Sequence, residues 1–290
     1  IQILASQSLY YDFVSYLTIK IIIFLFFKGR KAMKEYKYFL IDIADYVATV
    51  TINNPKALNA LSSPVIEEMI SVVEELSAMT EEVRCVVLTG AGEKSFVAGA
   101  DIKEMYAMNA EQGKAYGILG SKAFQMIEKM PQPVIAAVNG FALGGGCELA
   151  MACDIRIASD NARFAQPECG LGIIPGFAGT QRMPRLCGKG FAKMMIYSCK
   201  QIKADEALAA GLVQQVVPQA ELLDTAKKMA SKIASNSPNA VMLAKEAINN
   251  GYEMDFVSGN LFESNLFGLC FANQDQVDGM GAFVNKGKAV

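Results

Sequence analysis

A run of three glycines marks the first place in the sequence where backbone groups can do chemistry. Gly144, Gly145 and Gly146 lie between a predicted strand over 134–138 and a predicted short helix over 147–153. The first N–H groups of a helix have no partner inside the helix and lie at its positive end, so this junction predicts a site for an anion or oxyanion. No Gly-Lys-Ser/Thr follows and the G-x-G-x-x-G spacing is absent, which argues against the common nucleotide-binding loops. A simple tight turn is the alternative interpretation.

Two glutamates close to this run have apolar or glycine-rich neighbours. Glu148 lies at the start of the predicted helix, between Cys147 and Leu149, and Glu168 follows 20 residues later. A carboxylate at a helix N-terminus can simply face solvent, but these neighbours favour burial. If both carboxylates are buried together, their pKa values are driven apart, and the pair supplies one acid and one base.

Residues 96–103 form a third candidate segment, with the sequence Phe-Val-Ala-Gly-Ala-Asp-Ile-Lys. We predict a loop over 94–101, where small residues allow the backbone to approach a ligand closely. A free N–H at Ala100 would then be the second donor of an oxyanion hole. The alternative is a strand-to-helix turn with Asp101 as the N-cap.

The composition excludes several kinds of active site. The 290 residues include no histidine and no tryptophan. Hydrolases with an imidazole base, His-ligated zinc and haem with a proximal histidine are therefore excluded. Acid–base chemistry must use Glu, Asp, Lys, Tyr or Cys.

The net charge of −2 divides unevenly along the chain. Residues 1–32 carry +3, which leaves −5 for residues 33–290. A weakly acidic domain lacks the basic surface that binds nucleic acid or anionic lipid, so we expect neither as a partner of 33–290.

The seven cysteines are scattered and form no C-x-x-C pair. An odd number without such pairs favours buried thiols in a reducing cytosol over a disulfide framework or a zinc site. We therefore expect a cytoplasmic protein without a bound metal.

Residues 1–32 differ from the rest of the sequence. They hold 7 of the 26 aromatic residues and an apolar run over 21–27, followed by basic residues just before Met33. We expect a spurious upstream translation or an unstructured leader, with Met33 as the true start. A membrane or surface-binding segment is the main alternative.

Hydrophobic patterning predicts an α/β fold with a buried sheet. Runs at 36–43 and 46–52 predict a hairpin, and helices are predicted from Ser62 or Ser63 onward and over 111–130. Buried strands are predicted over 85–89, 134–138 and 155–158. From about residue 178 the pattern becomes helical, over 178–187, 189–199, 203–210, 219–235, 237–250, 254–270 and 273–285. We therefore predict a core over 33–200 and a helical C-terminal region over 201–290.

Taken together, four parts of the sequence resemble the crotonase (enoyl-CoA hydratase/isomerase) superfamily in order and spacing. They are KALNAL at 56–61, SFVAGADIKEM at 95–105, AAVNGFALGGGCELA at 136–150, and QPE at 166–168 through PGFAGTQR at 175–182. The likeness covers essentially all of 33–290 and is strongest to the short-chain members of butyrate-forming anaerobic bacteria. Residues 1–32 match nothing in the family, and Ala178 stands where glycine is more usual.

The resemblance implies a crotonase-like fold of repeated ββα units with a helical C-terminal trimerisation region, commonly in a hexamer of two trimers. It implies reversible syn hydration of short trans-2-enoyl-CoA thioesters, such as crotonyl-CoA to 3-hydroxybutyryl-CoA. By matching positions, Ala100 and Gly145 donate N–H groups to the thioester oxygen. Glu148 and Glu168 match the two catalytic glutamates.

The resemblance also places the CoA part of the substrate and implies that no separate cofactor is needed. The residues expected to border CoA are Lys56, Ala57, Leu58, Ala98, Asp101, Ile102 and Lys103. Acyl-chain length depends on how Met105, Met108, Phe141 and the 111–130 helix close the pocket.

Two other functions occur among relatives of this kind. An enoyl-CoA isomerase is the nearest, but isomerases often lack one of the two glutamates and this chain has both. Some relatives bind RNA, against which the charge of −5 on 33–290 argues.

Overall fold

The structure, a computed structural model, describes residues 33–285. The strands in this part of the chain are β1 (Phe39–Ala44), β2 (Val47–Ile52), β3 (Cys85–Gly90), β4 (Ser95–Val97), β5 (Val134–Val138), β6 (Phe141–Leu143), β7 (Ile155–Ser159), β8 (Arg163–Ala165), β9 (Ile202–Lys203) and β10 (Gln215–Val217). The α-helices in its first half are α1 (Ser63–Ser77), α2 (Ile102–Tyr106), α3 (Ala110–Lys129) and α4 (Gly145–Ala152). Those that follow are α5 (Gly179–Cys187), α6 (Lys189–Ser198), α7 (Ala204–Ala209), α8 (Leu222–Ala234), α9 (Pro238–Gly251), α10 (Phe256–Cys270) and α11 (Gln274–Val284).

The strands form two sheets. The larger has six strands in the order β1-β2-β3-β5-β7-β10, and the smaller has four in the order β4-β6-β8-β9. The pairs β1–β2 and β8–β9 are antiparallel, and all other neighbours are parallel. Parallel neighbours need long crossover connections, and here those connections contain helices and the strands of the other sheet.

A unit of two strands and a following helix repeats along the first part of the chain. In each of the pairs β3–β4, β5–β6 and β7–β8, the first strand joins the larger sheet and the second joins the smaller one. This is the ββα repetition that the resemblance predicts. The repetition brings the segments after β4, β6 and β8 to one edge of the smaller sheet.

Both faces of the larger sheet are covered by helices. Cys85 and Val87 of β3 pack with one side of α8, while Val86 and Leu88 lie with residues of α1 and α3. This alternation follows from the strand geometry, in which successive side chains point to opposite faces. A strand buried on both faces explains why residues 85–88 are apolar without interruption.

Most predicted elements are present, with ends shifted by a few residues. The hairpin is β1 and β2, and its turn uses Asp45 and Tyr46 at φ values of 49° and 63°. The predicted helix at Ser63 is α1, with Pro64 in its first turn. All the predicted C-terminal helices are found between residues 179 and 284.

The predicted loop over 94–101 is wrong in part, because Ser95–Val97 is strand β4. The other strands of the smaller sheet were not predicted either. They have only two or three residues each, which is too short to show an alternating pattern. Their pairing with neighbours that are distant in sequence is what makes them strands.

The predictions for residues 1–32 concern residues outside those that the structure describes, and the division at residue 200 stays a prediction. None of the helices between residues 33 and 285 combines the length and apolar character needed to cross a membrane.

Helix α9 is fastened to the core by a lysine. The Lys245 ammonium donates to the carbonyl oxygens of Ile127 and Gln132 at 3.3 and 2.9 Å and to Asp154 Oδ2 at 2.9 Å. Asp154 Oδ2 also accepts the N–H of Val134 at the start of β5. The Lys245 side chain is 8% exposed, so these bonds replace the hydrogen bonds to water that the ammonium loses on burial.

Replacing Lys245 by Met should therefore lower the free energy of unfolding by about 3 kcal/mol, because Asp154 would lose its buried cationic partner. Urea denaturation at a fixed protein concentration measures the change. Lys200→Met is the control, since Lys200 pairs with Glu206 on the surface and its loss should leave the midpoint unchanged. Equal shifts in both variants would contradict the assigned role of Lys245.

Candidate active site

The predicted oxyanion segments lie side by side because β4 and β6 are parallel neighbours. Ser95 pairs with Phe141 and Val97 with Ala142, so the two strands end at the same edge of the smaller sheet. A Cβ atom on Gly99 would lie 3.3 Å from the carbonyl oxygen of Leu143, which shows how close the two segments run after the strands end.

The N–H of Ala100 points away from the neighbouring segment that contains Leu61. Leu61 donates to the carbonyl of Gly99 at 2.9 Å and accepts the N–H of Asp101 at 3.0 Å. Because Leu61 bonds to the residues on either side of Ala100, the Ala100 N–H points to the opposite side of the chain. The Asp101 carboxylate accepts the N–H groups of Lys103 and Glu104, so the predicted N-cap is also present.

Two of the three glycines, Gly144 and Gly146, are needed for close packing at the start of α4. Gly144 has φ +50°, and a Cβ atom on Gly146 would lie 1.9 Å from the carbonyl oxygen of Val97. Glu148 donates the first helical bond, to the Gly144 carbonyl at 2.9 Å. The N–H of Gly145 therefore belongs to the unpaired first turn, as predicted.

Glu148 is buried, and the interpretation as a solvent-facing charge is wrong. Glu148 is 1% exposed, and its Oε1 accepts the N–H groups of Phe177 and Gly179 at 2.8 and 2.7 Å. Loss of solvation raises the pKa of Glu148 to about 7, although the two N–H bonds and the charge of Arg182 act in the opposite direction.

Glu168 lies on a short 3-10 turn, Glu168–Leu171, directly after the smaller sheet. It is 8% exposed, and a Cβ atom on Gly144 would lie 2.5 Å from its Oε1. Its Oε2 is buried and has no hydrogen-bond partner among the described residues. Burial, and secondarily the charge of Glu148, raises the pKa of Glu168 to about 7.

The structure therefore brings Glu148 and Glu168 into one electrostatically coupled pair. Burial raises both pKa values to about 7, and the charge of Glu148 adds to the increase at Glu168. The expected separation of the two values stays a prediction. Such a pair loses its protons in two shared steps and holds one proton over part of the range near neutral pH.

Sequence reasoning missed the loop that holds Glu148. The Phe177 ring packs against Tyr116 and Phe124 at centroid distances of 5.3 and 5.5 Å, and the Phe177 and Gly179 N–H groups bond to Glu148. Ala178 between them has φ +73°, which explains why glycine is more usual there. Residues 175–182 form part of a recognisable motif, but no sequence signal indicates which of its N–H groups face a carboxylate.

Gln166 is a second residue that sequence reasoning did not assign. It is fully buried, its Nε2 donates to the Gly144 carbonyl at 3.2 Å, and its Oε1 has no partner among the described residues. Gln166 thus supports the same glycine turn that contacts Glu168.

The residues predicted to border CoA come together next to Ala100. The Leu58 carbonyl accepts the Ala98 N–H at 3.0 Å, which joins the turn containing Lys56 and Ala57 to the segment after β4. Lys56, Ala57, Ile102 and Lys103 are exposed at the surface. Their contact with CoA stays a prediction.

Met105, Met108 and Phe141, on which acyl-chain length is expected to depend, are all partly buried. Among residues 33–285, no three Asp, Glu or Cys side chains are grouped so that they could hold a metal ion.

Comparisons with known proteins identify the class to which this fold and site belong. The sequence profile described as enoyl-CoA hydratase/isomerase matches residues 42–290. The chain therefore belongs to the enoyl-CoA hydratase/isomerase family, as the sequence motifs predicted.

Individual relatives agree with this assignment. The chain is 60% identical to the short-chain-enoyl-CoA hydratase of Clostridium acetobutylicum over 242 residues, 83% of this chain and 92% of the relative. It is 49% identical to the crotonyl-CoA hydratase of Syntrophomonas wolfei over 256 residues, 88% of this chain and 97% of the relative. The crystal structure of an enoyl-CoA hydratase from Bacillus anthracis matches with a TM-score of 0.83 at 44% identity, covering 86% of this chain and 97% of that one. The predicted crotonase-like α/β fold is confirmed.

The raised pKa of Glu168 predicts a pH-dependent stability difference. A carboxyl whose pKa is higher in the folded chain than in the unfolded one stabilises the fold below about pH 4.5, and this contribution is lost as the pH rises towards 7. The Glu168→Gln variant has no ionisable group at this position, so it does not lose stability in this way as the pH rises. The melting temperature of this variant relative to the wild type should therefore increase from pH 5 to pH 8, as measured by scanning calorimetry.

The exposed Glu81→Gln is the control for this experiment, because Glu81 lies on the surface of the folded chain. The difference in melting temperature between Glu81→Gln and wild type should stay constant from pH 5 to pH 8. A Glu168→Gln difference that is also constant would show that Glu168 ionises alike in both states.

Proposed function

We propose that the chain catalyses reversible syn addition of water across the 2,3 double bond of short trans-2-enoyl-CoA thioesters, a hydro-lyase reaction. The observation that carries the proposal is the pair of buried, coupled carboxylates beside the unpaired first turn of α4. The activity that gives the relatives from C. acetobutylicum and S. wolfei their names supports it. Crotonyl-CoA is the substrate of choice because both names denote short acyl chains.

Ala100 and Gly145 act on the thioester oxygen. Negative charge develops on this oxygen when water attacks the β-carbon, and the two N–H groups stabilise the charge where it appears. They belong to rigid segments held by Leu61 and by the packing of Gly146 on Val97, so they need little reorganisation during the reaction. Losing one such donor costs about 3 kcal/mol of transition-state stabilisation.

Glu148 and Glu168 bind the attacking water and transfer its protons. One carboxylate accepts a proton as the water oxygen bonds to the β-carbon, and the other delivers a proton to the α-carbon. The two roles require the singly protonated pair, which forms near neutral pH because both pKa values are about 7. The roles belong to the pair, and the reverse reaction uses the same groups with the proton positions exchanged.

The substrate supplies its own CoA, and we propose that no separate cofactor is needed. The CoA part lies along Lys56, Ala57 and Leu58 and along the segment from Ala98 to Lys103, with the Lys103 ammonium near its phosphates. The Phe177 ring lies beside Gly145, where a Cβ atom would be 3.3 Å from it. Such a reaction belongs to fatty acid and butyrate metabolism.

We place the protein in the cytoplasm, which is supported by its free cysteines. All seven thiols lie in the described part of the chain, unpaired, and Cys85, Cys147 and Cys153 are buried. This arrangement suits a reducing compartment.

Replacement of either glutamate by Gln is the direct test of the mechanism. Glu148→Gln and Glu168→Gln should each lower kcat for hydration of crotonyl-CoA at least 100-fold, because each removes one proton-transfer group without changing side-chain size. The assay follows loss of the enoyl thioester absorbance, with circular dichroism to verify folding. Hydration at near the wild-type rate by both variants would refute the assignment.

The same protein preparation distinguishes hydration from isomerisation. Wild type should hydrate 2-enoyl-CoA faster than it converts 3-enoyl-CoA to 2-enoyl-CoA. A series of 2-enoyl-CoA substrates of increasing length then measures the effect of the pocket on chain length.

We further propose that the chain assembles as a trimer or as a hexamer of two trimers through its C-terminal helices. Helices α9, α10 and α11 expose large apolar side chains, among them Phe256 at 87% and Phe283 at 82% exposure. A surface of this kind favours burial against another subunit.

Light scattering after size exclusion should give three or six times the subunit mass. Phe256→Glu should lower that mass, because a charge on this face disfavours its burial. Leu40→Glu, at an exposed apolar residue of β1, is the control and should leave the mass unchanged. A wild-type monomer would refute the proposal.

A further inference from the structure

The loop that holds Glu148 is itself held by an arginine from the next helix. The Nη1 of Arg182, in α5, donates to the Phe177 carbonyl at 2.7 Å. The N–H of the same residue, Phe177, donates to Glu148. Phe177 thus links the carboxylate on one side to the guanidinium on the other.

Arg182 is fixed in turn by Glu128 of α3. Nε and Nη2 of Arg182 donate to the two carboxylate oxygens of Glu128 at 2.6 and 2.7 Å. Two parallel bonds define the plane of the guanidinium, which a single bond does not. The Arg182 side chain is 9% exposed and the Glu128 side chain 35%, so the guanidinium is the side of the pair that is shielded from water.

The loop needs such support because its conformation is disfavoured. Ala178 has φ +73°, a left-handed conformation in which its Cβ atom is crowded by the backbone. This conformation turns the N–H of Gly179 back towards Glu148, so that two N–H groups two residues apart meet one oxygen. Relaxation of Ala178 to negative φ would move at least one of them away.

We propose that Arg182, supported by Glu128, is a positioning residue that keeps the Phe177 and Gly179 N–H groups aimed at Glu148 and so fixes the orientation of its carboxylate. The proposal rests on the catalytic role proposed above for Glu148. Arg182 does not touch the reacting atoms and acts through the loop.

Loss of Arg182 should also change how Glu148 ionises. The charged or titratable groups that act on the Glu148–Glu168 pair include Glu168 from the 3-10 turn, Arg182 from α5 and Cys147 from α4 itself. Arg182 is the cation among them, and it favours the ionised carboxylate directly and through the N–H groups that it aims. Removing it raises the pKa of Glu148.

The experiment compares Arg182→Gln, Arg182→Lys and Glu128→Gln with wild type and with Glu148→Gln, using crotonyl-CoA. In Arg182→Gln we expect kcat to fall about 10- to 100-fold, the cost typical of a misplaced catalytic group, while KM changes less than about threefold. The acidic limb of the pH profile of kcat should move to higher pH. Glu128→Gln should also lower kcat and move the acidic limb to higher pH, but both changes should be smaller.

Arg182→Lys separates geometry from charge. Lysine keeps the positive charge but cannot bond to Phe177 and to both oxygens of Glu128 in one plane. Its pH profile should therefore lie between those of wild type and Arg182→Gln, because the charge remains while the aim of the N–H groups is lost, and its kcat stays reduced. A lysine variant with wild-type kcat would overturn the positioning role.

The matched control is a second arginine–glutamate pair from the same helix. Arg185 bonds to Glu253 on the surface, with side chains 46% and 59% exposed. Arg185→Gln should leave kcat and the pH profile unchanged. Equal losses in Arg185→Gln and Arg182→Gln, or full activity in both Arg182→Gln and Glu128→Gln, would overturn the inference.

Failure of the inference can be distinguished from failure of the mechanism. If Glu148→Gln is inactive while the Arg182 and Glu128 variants are fully active, only the positioning role is refuted. If Glu148→Gln itself keeps wild-type activity, the role of Glu148 is refuted. Should Arg182→Gln fail to fold, the lysine and Glu128 variants test the proposal in its place.

Discussion

A carboxylate inside an apolar helix cannot remain there without hydrogen bonds, and the active-site region is arranged around that requirement. Glu148 is buried among residues of α4, and it has two backbone N–H donors from the loop before α5. These bonds and the charge of Arg182 oppose the loss of solvation without cancelling it, so the pKa remains raised to about 7. A group in that balance can hold or release a proton at neutral pH, which a fully solvated glutamate does not do. A chain without histidine obtains a near-neutral acid–base group in this way.

The same requirement explains why small residues surround the site. Backbone donors reach a buried carboxylate only if chain segments approach each other closely. Gly146 lies against the Val97 carbonyl, Gly144 against Glu168, and Gly120 of α3 against the Phe177 ring, and a Cβ atom at any of them would overlap its neighbour. Larger residues would separate the segments and leave Glu148 and the first turn of α4 without their present geometry.

The pairing of strands in the two sheets brings these segments close together. Each ββα unit sends its second, short strand to the smaller sheet, and the residues that follow β4, β6 and β8 include Ala100, Gly145 and Glu168. The larger sheet is buried between helices and provides the rigid base. The C-terminal helices carry apolar residues on their outer surface, while Lys245 of α9 is bonded to Asp154 just before β7. The surface proposed for assembly is therefore connected to the scaffold that holds the site.

The sequence alone determined the fold class, most helices and the long buried strands, and it singled out Glu148 and Glu168 as candidate catalytic residues. These features are local: a helix shows its periodicity, a strand buried on both faces shows an unbroken apolar run, and the motifs around Glu148 and Glu168 are contiguous. Only the tertiary structure decided which strands form the smaller sheet, because two or three residues become a strand by pairing with distant partners. It also decided that Phe177, Gly179 and Arg182 support Glu148, and that burial raises the pKa of both glutamates. Hydrogen bonds between segments about 30 residues apart and the loss of solvent around a side chain depend on how the chain packs, and local sequence patterns carry no record of either.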